Sequence, residues 1–199
     1  QSERRPVATG PPNFSLDLNL EESPGGVEKI HVYKRPFLDE FLRMLSRDFE
    51  VVVFTASVPG YAGPVLDTAD VNNSVHYRLF RDATVKYLGH DYVKDLSKLG
   101  RDMSRIVLVD NNPMAMLASL DNAIPIQSFY SSQKDAELPQ LFRLLHRLRP
   151  MKDVRPYLKH RFKLKENMLK LLPMLDHHRR NNENRETQAA AAAAAAPAM

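Results

Sequence analysis

Three places in the chain combine residue types that could act on a phosphoryl group. Thr55 closes the apolar run Val51-Val52-Val53-Phe54, Asp110-Asn111 close Ile106-Val107-Leu108-Val109, and Lys94 sits in the short polar stretch Tyr92-Val93-Lys94-Asp95-Leu96-Ser97. A hydroxyl and an ammonium donate to phosphoryl oxygens, while a carboxylate and an amide hold Mg²⁺ or a water bound to it. Each residue also has a plain structural reading. A Thr after a strand often caps a helix, an Asp after a strand often makes a turn, and a lone Lys is commonly solvated surface.

Strands must place these residues. The runs Glu50–Thr55 and Arg105–Asp110 are β-branched and nearly continuous, as parallel strands covered on both faces are, and Ala123–Ile126 is a shorter third run. Helical spacing appears around Gly60–Ala69, at Pro113–Leu120 and at Asp135–Leu148, where Leu138, Leu141, Phe142, Leu145 and Leu148 form one stripe. Lys34-Arg35-Pro36 opens another helix, with Phe37, Leu38, Phe41, Leu42 and Leu45 at helical spacing. Upstream, Phe14, Leu16, Leu18 and Leu20 alternate with polar residues, Ser23-Pro24-Gly25-Gly26 supplies a turn, and Val27–Tyr33 is extended again, which predicts a β-hairpin. Strands alternating with helices predict an open α/β sheet, whose function sits at the carboxyl ends of its strands.

Composition narrows the class. The 199 residues are 43% hydrophobic and 26% charged, with no cysteine, so a disulfide scaffold, a thiol nucleophile and a Cys-ligated zinc are excluded. No run of about 18 apolar residues occurs, as a membrane span would need, and no leader resembles a secretory signal. The net charge of +4 divides into −1 over residues 1–150 and +5 over 151–199. This predicts a lead-in without order over 1–13, a domain over 14–150, a basic helical extension over 151–176 with its helix at Leu158–Leu175, and a low-complexity tail over 177–199. Within the extension, Lys159-His160-Arg161-Phe162-Lys163-Leu164-Lys165 interleaves basic and apolar residues. A helix packed on the domain is favoured over nucleic-acid binding, and His177-His178 over the tail reads as surface, not metal site.

Five segments then occur in the order and spacing of one family: Val32-Tyr33-Lys34-Arg35-Pro36, Val53-Phe54-Thr55-Ala56-Ser57, Tyr92–Ser97, Leu99-Gly100-Arg101-Asp102 and Leu108-Val109-Asp110-Asn111-Asn112-Pro113. The chain resembles the FCP/SCP-like small C-terminal-domain phosphatases of the haloacid dehalogenase superfamily from about Phe14 to Leu148. Asn122–Ile126 and Asp135–Leu138 also look like that family. The resemblance implies a Rossmannoid parallel sheet with a β-hairpin insertion and a Mg²⁺-dependent phosphoserine/phosphothreonine phosphatase that works through an aspartyl-phosphate, on a phosphoprotein such as the RNA polymerase II C-terminal domain. It implies that Thr55 and Lys94 bind the phosphoryl group, that Arg81 faces the substrate groove, and that Asp110 and Asn111 hold the metal. The implied compartment is the nucleus, with the nuclear envelope and the mitochondrion as alternatives.

One departure is large. The family's nucleophile lies in an Asp-x-Asp-x-Thr motif at the end of an apolar strand, and here only Asp17-Leu18-Asn19-Leu20-Glu21 is similar. It lacks the second Asp and the Thr, and it alternates as a hairpin strand does. The nucleophile segment is therefore expected to be missing, the chain truncated at its N-terminal side (it begins at Gln1, without an initiator Met), the sheet incomplete there, and the chain inactive by itself. The alternative within the same fold is a non-catalytic binding domain resembling the inner-membrane subunit of the mitochondrial import receptor.

Overall fold

A computed structural model of the chain describes residues 10–19 and 26–170. The expected tail over 177–199, most of the lead-in, the hairpin's loop and the end of the expected basic helix lie outside the described residues.

Strands β1 (Phe14–Asn19) and β2 (Val27–Val32) pair antiparallel, with Phe14 opposite Val32 and Asn19 opposite Val27. The alternation read from the sequence is the reason: Leu18 is buried, Phe14 and Leu16 are half-buried, and Ser15, Asp17 and Asn19 are exposed. Helix α1 (Leu38–Leu45) follows, but Pro36 stands ahead of it, not in its first turn. Phe37 takes a left-handed conformation at φ 68°, and the Leu38 N–H closes the turn on the Arg35 carbonyl at 3.1 Å. Asp39 and Glu40 in the first turn favour the helix start at Leu38.

Two parallel pairs carry the site. β3 (Val52–Phe54) runs beside β4 (Tyr77–Leu79), and the helix between them is α2 (Pro59–Ala69). Between β4 and the second pair lies an antiparallel hairpin, β5 (Val85–Tyr87) and β6 (His90–Val93). β7 (Leu108–Asp110) then runs beside β8 (Ala123–Pro125). Among the described residues β3 ladders only with β4 and β7 only with β8, so the parallel sheet is interrupted.

Core packing spans the interruption. Phe41 and Leu45 of α1, Ile124 of β8 and Leu138, Leu141, Leu145 and Leu148 of α3 (Glu137–Leu148) bury one another, with Val51, Val107 and Val109 against them. Val154 and Leu158 join the same core, Leu158 from helix α4 (Arg155–Phe162), and Met168 packs with Val93 and Leu117.

Several elements differ from the sequence reading. The three parallel strands that the sequence announced, β3, β7 and β8, are three residues each, shorter than the runs that announce them. Pro113–Asn122 is 3₁₀, kinked at Ser119 (φ −143°), not a regular helix. The basic helix does not run unbroken from Leu158, because Lys163 takes a left-handed conformation (φ 49°) that ends α4 before helical turns resume at 164–170. No helix of the described residues is long and apolar enough to cross a membrane.

Candidate active site

Lys94 and Asp110 meet at the carboxyl end of β7. Lys94 follows β6, its N–H donates to the Ala115 carbonyl at 2.8 Å, and its Nζ donates to Asp110 Oδ2 at 2.5 Å. Only 11% of the lysine side chain and 8% of the aspartate side chain are exposed. The backbone holds both ends of Asp110: Oδ1 accepts from the Asn112 N–H at 2.8 Å, and its carbonyl accepts from the Ile126 N–H at 3.0 Å.

The residue before Thr55 touches this pair. The Lys94 ammonium lies 5.7 Å from the centre of the Phe54 ring, within cation–π reach, so the end of β3 adjoins the end of β7. The Thr55 N–H extends the β3–β4 ladder by donating to Leu79 O at 2.9 Å. Its Oγ1 accepts from the Ser57 N–H at 3.1 Å, which makes it a turn residue and leaves its own hydroxyl proton free to donate. It does not cap α2, which begins at Pro59 without a side-chain cap.

Arg81 and Asn111 flank the centre. Arg81 Nε donates to the Ala56 carbonyl at 2.7 Å, and its guanidinium lies 5.1 Å from the centre of the Tyr92 ring. Asn111 is exposed, and its Nδ2 donates to Ser128 Oγ at 3.0 Å, which turns its carbonyl oxygen the other way. A depression of about 500 Å³ lined by Asn111, Ile126, Ser128, Phe129 and Tyr130 opens beside it. Asp17 stands elsewhere, exposed on β1 opposite Lys29.

The residues of the recurring motifs that do not face this centre have structural work. Asp95 caps the 3₁₀ turn Leu96–Leu99 by accepting from the Ser97 N–H at 3.0 Å, and Gly100 ends that turn at φ 63°, a conformation glycine adopts without strain. Buried Asn122 donates to the Met103 and Ile106 carbonyls at 2.6 and 2.8 Å, which fixes the approach to β7. Arg35 makes a two-pronged ion pair with Asp135, both contacts at 2.8 Å, and its guanidinium holds the Asp135 carboxyl below the ordinary carboxylate range. Phe54, Tyr92 and Ser128 contact the site residues and were not singled out in the sequence. Their contacts are tertiary, and no spacing announces them.

The family model for NLI interacting factor-like phosphatases matches residues 3–155, and the chain belongs to that family. It is 46% identical over 144 residues to a probable C-terminal domain small phosphatase of Dictyostelium discoideum, covering 72% of this chain and 46% of that protein. It is 42% identical over 133 residues to the human carboxy-terminal domain RNA polymerase II polypeptide A small phosphatase 1, covering 67% of this chain and 51% of that protein. The chain thus spans about half the length of these relatives. Among solved structures, that of Fcp1, an essential RNA polymerase II CTD phosphatase, aligns over 80% of this chain and 43% of that one, at 22% identity and a TM-score of 0.49.

Proposed function

We propose that residues 14–150 are the phosphate-binding body of a protein serine/threonine phosphatase domain, and that its substrate is a phosphoprotein such as the C-terminal domain of RNA polymerase II. The observation that carries this is the nearly enclosed Lys94–Asp110 pair at the end of β7, with the ring of Phe54, the last residue of β3 and the neighbour of Thr55, against the ammonium. The phosphatase names of the relatives support this reading over a non-catalytic binding domain.

The roles follow from the atoms. Thr55 donates its hydroxyl proton to a phosphate oxygen. Lys94 donates one ammonium N–H to Asp110 and keeps two for the phosphoryl oxygens, so positive charge stands ready where negative charge develops. Arg81 keeps its terminal nitrogens for the substrate while Nε holds it to Ala56. Asp110 and Asn111 offer a carboxylate and an amide oxygen, the hard donors that Mg²⁺ takes, and Mg²⁺ commonly keeps water or substrate phosphate for the remaining positions. No cluster of three His, Asp or Glu groups that could hold a metal occurs among the described residues, so these two supply a partial shell. Bound there, Mg²⁺ would act as a Lewis acid on a phosphoryl oxygen.

A covalent aspartyl-phosphate needs a carboxylate nucleophile, and the 199 residues contain no Asp-x-Asp. The chain as written therefore binds phosphate and does not turn it over. The interrupted sheet supports this, because among the described residues β3 and β7 each keep an edge that no strand ladders. The test is an assay of the purified chain with a phosphoserine peptide and an aryl phosphate, with and without Mg²⁺. No hydrolysis is expected; turnover abolished by Asp17→Asn would place the nucleophile in β1 instead.

A further inference from the structure

Strand β6 carries an irregularity that points at Arg81. Val85 pairs with Val93 and Tyr87 with His90, so two residues of β6, Asp91 and Tyr92, stand opposite the single Lys86 of β5. This is a β-bulge, and Tyr92 occupies it at φ 61°. A left-handed residue in a bulge is usually glycine, because a side chain there pushes Cβ against the following carbonyl. The neighbouring left-handed pair Leu88 and Gly89 is explained by the hairpin turn, whereas Tyr92 lies inside the strand.

The strain has little return in core packing, since Tyr92 is 47% exposed. What the conformation achieves is direction. Bulges re-aim side chains next to active sites, and this one turns the Tyr92 ring against the Arg81 guanidinium, 5.1 Å from ring centre to Cζ. Immediately after it, Val93 is fully buried and Lys94 reaches Asp110. Arg81 is thereby fixed at two points, by Ala56 O on Nε and by the ring on its face. An arginine held this way has lost its rotamer freedom before substrate arrives, which lowers the cost of binding.

We propose that Tyr92 is a positioning residue for substrate recognition: its strained backbone is retained to hold Arg81 as a preformed clamp for an anionic group of the phosphopeptide. This rests on the reading that Arg81 binds substrate. A purely structural residue at a left-handed bulge would be improved by glycine, and a positioning ring would not.

The test uses the 199-residue chain, a fluorescein-labelled alanine-rich peptide with one phosphoserine, and its unphosphorylated twin. Tyr92→Gly should melt at or above the temperature of the parent chain and bind the phosphopeptide about two- to fivefold more weakly, the scale of one partly exposed cation–π contact. Tyr92→Phe, which keeps the ring, should restore binding. Arg81→Ala should weaken binding at least as much as Tyr92→Gly, and the two losses should not add. Independently of any ligand, the Arg81 side-chain NMR signals should lose their ring-current shift in Tyr92→Gly and keep it in Tyr92→Phe. Phosphopeptide binding by Tyr92→Gly equal to that of the parent, while Arg81→Ala binds weakly, overturns the inference and leaves the reading of Arg81 standing. Parent-level binding by Arg81→Ala, or no preference of the parent chain for the phosphopeptide, overturns the reading on which it rests.

Discussion

The Lys94 ammonium lies 2.5 Å from Asp110 Oδ2 in a position where both side chains are almost shut off from solvent. Such a pair is a poor source of stability. Desolvation costs several kcal/mol per ion, and the attraction between the two charges does little more than repay it. Its position fits the proposed site, where it would hold positive charge ready at the ends of β3 and β7.

That balance is measurable. Lys94→Met should destabilise the chain by about 3–5 kcal/mol, because it strands the Asp110 carboxylate, whereas Lys94→Met combined with Asp110→Leu should return close to the parent. Chemical denaturation of the four chains of this cycle gives the answer. A double variant as unstable as Lys94→Met would mean that the pair stabilises the fold.

The Arg35–Asp135 pair should govern acid stability. Arg35 lowers the Asp135 pKa in the folded chain. The stability this contributes is therefore fully present above the unfolded carboxyl value of about 3.9 and is lost as pH falls through the lower folded value. Asp135→Asn should lower Tm by roughly 5 °C at pH 7, and the gap should close in acid below pH 4. A gap that stays constant down to pH 2 would contradict the assignment.

The unladdered edges of β3 and β7 leave backbone donors and acceptors without strand partners among the described residues. The isolated chain should accordingly melt below about 65 °C, the top of the usual mesophile range, and aggregate as it does so. A cooperative and reversible melt well above that temperature would show that another segment fills the slot.

What the sequence made legible follows from which residues carry local signals. Val51–Phe54 and Ile106–Val109 announce β3 and β7 because strands buried on both faces are continuous in β-branched residues. β4, β5 and β6 went unread: at three or four residues, such as Tyr77-Arg78-Leu79, they are too short to establish a period. Pro113–Leu120 has helical spacing, but the kink at Ser119 and the 3₁₀ geometry are set by packing of Met116 and Leu117 into two separate clusters. At the site, Thr55, Lys94 and Asp110 could be singled out because each follows a recognisable strand or motif. Their partners could not: Phe54 reads as one more strand residue, and Tyr92 as part of a motif whose bulge appears only when β5 is laid beside β6.

The central claim, a proposal, is that Thr55, Lys94 and Asp110 form a phosphoryl-transfer site that lacks the Asp-x-Asp-x-Thr segment. It is tested most directly by joining an apolar strand ending in Asp-x-Asp-x-Thr to the N-terminal side of this chain and measuring Mg²⁺-dependent hydrolysis of a phosphoserine peptide per folded molecule. The joined chain should be a phosphatase in which Lys94→Ala lowers turnover by about a hundredfold or more, the scale for losing one preorganised donor. Asp110→Ala should be partly rescued by high Mg²⁺, and Thr55→Ala should be milder, since a neutral hydroxyl contributes less than a charge-assisted bond. A well-folded joined chain without activity, or one in which Thr55→Ala is harmful while Lys94→Ala leaves turnover intact, would contradict the account.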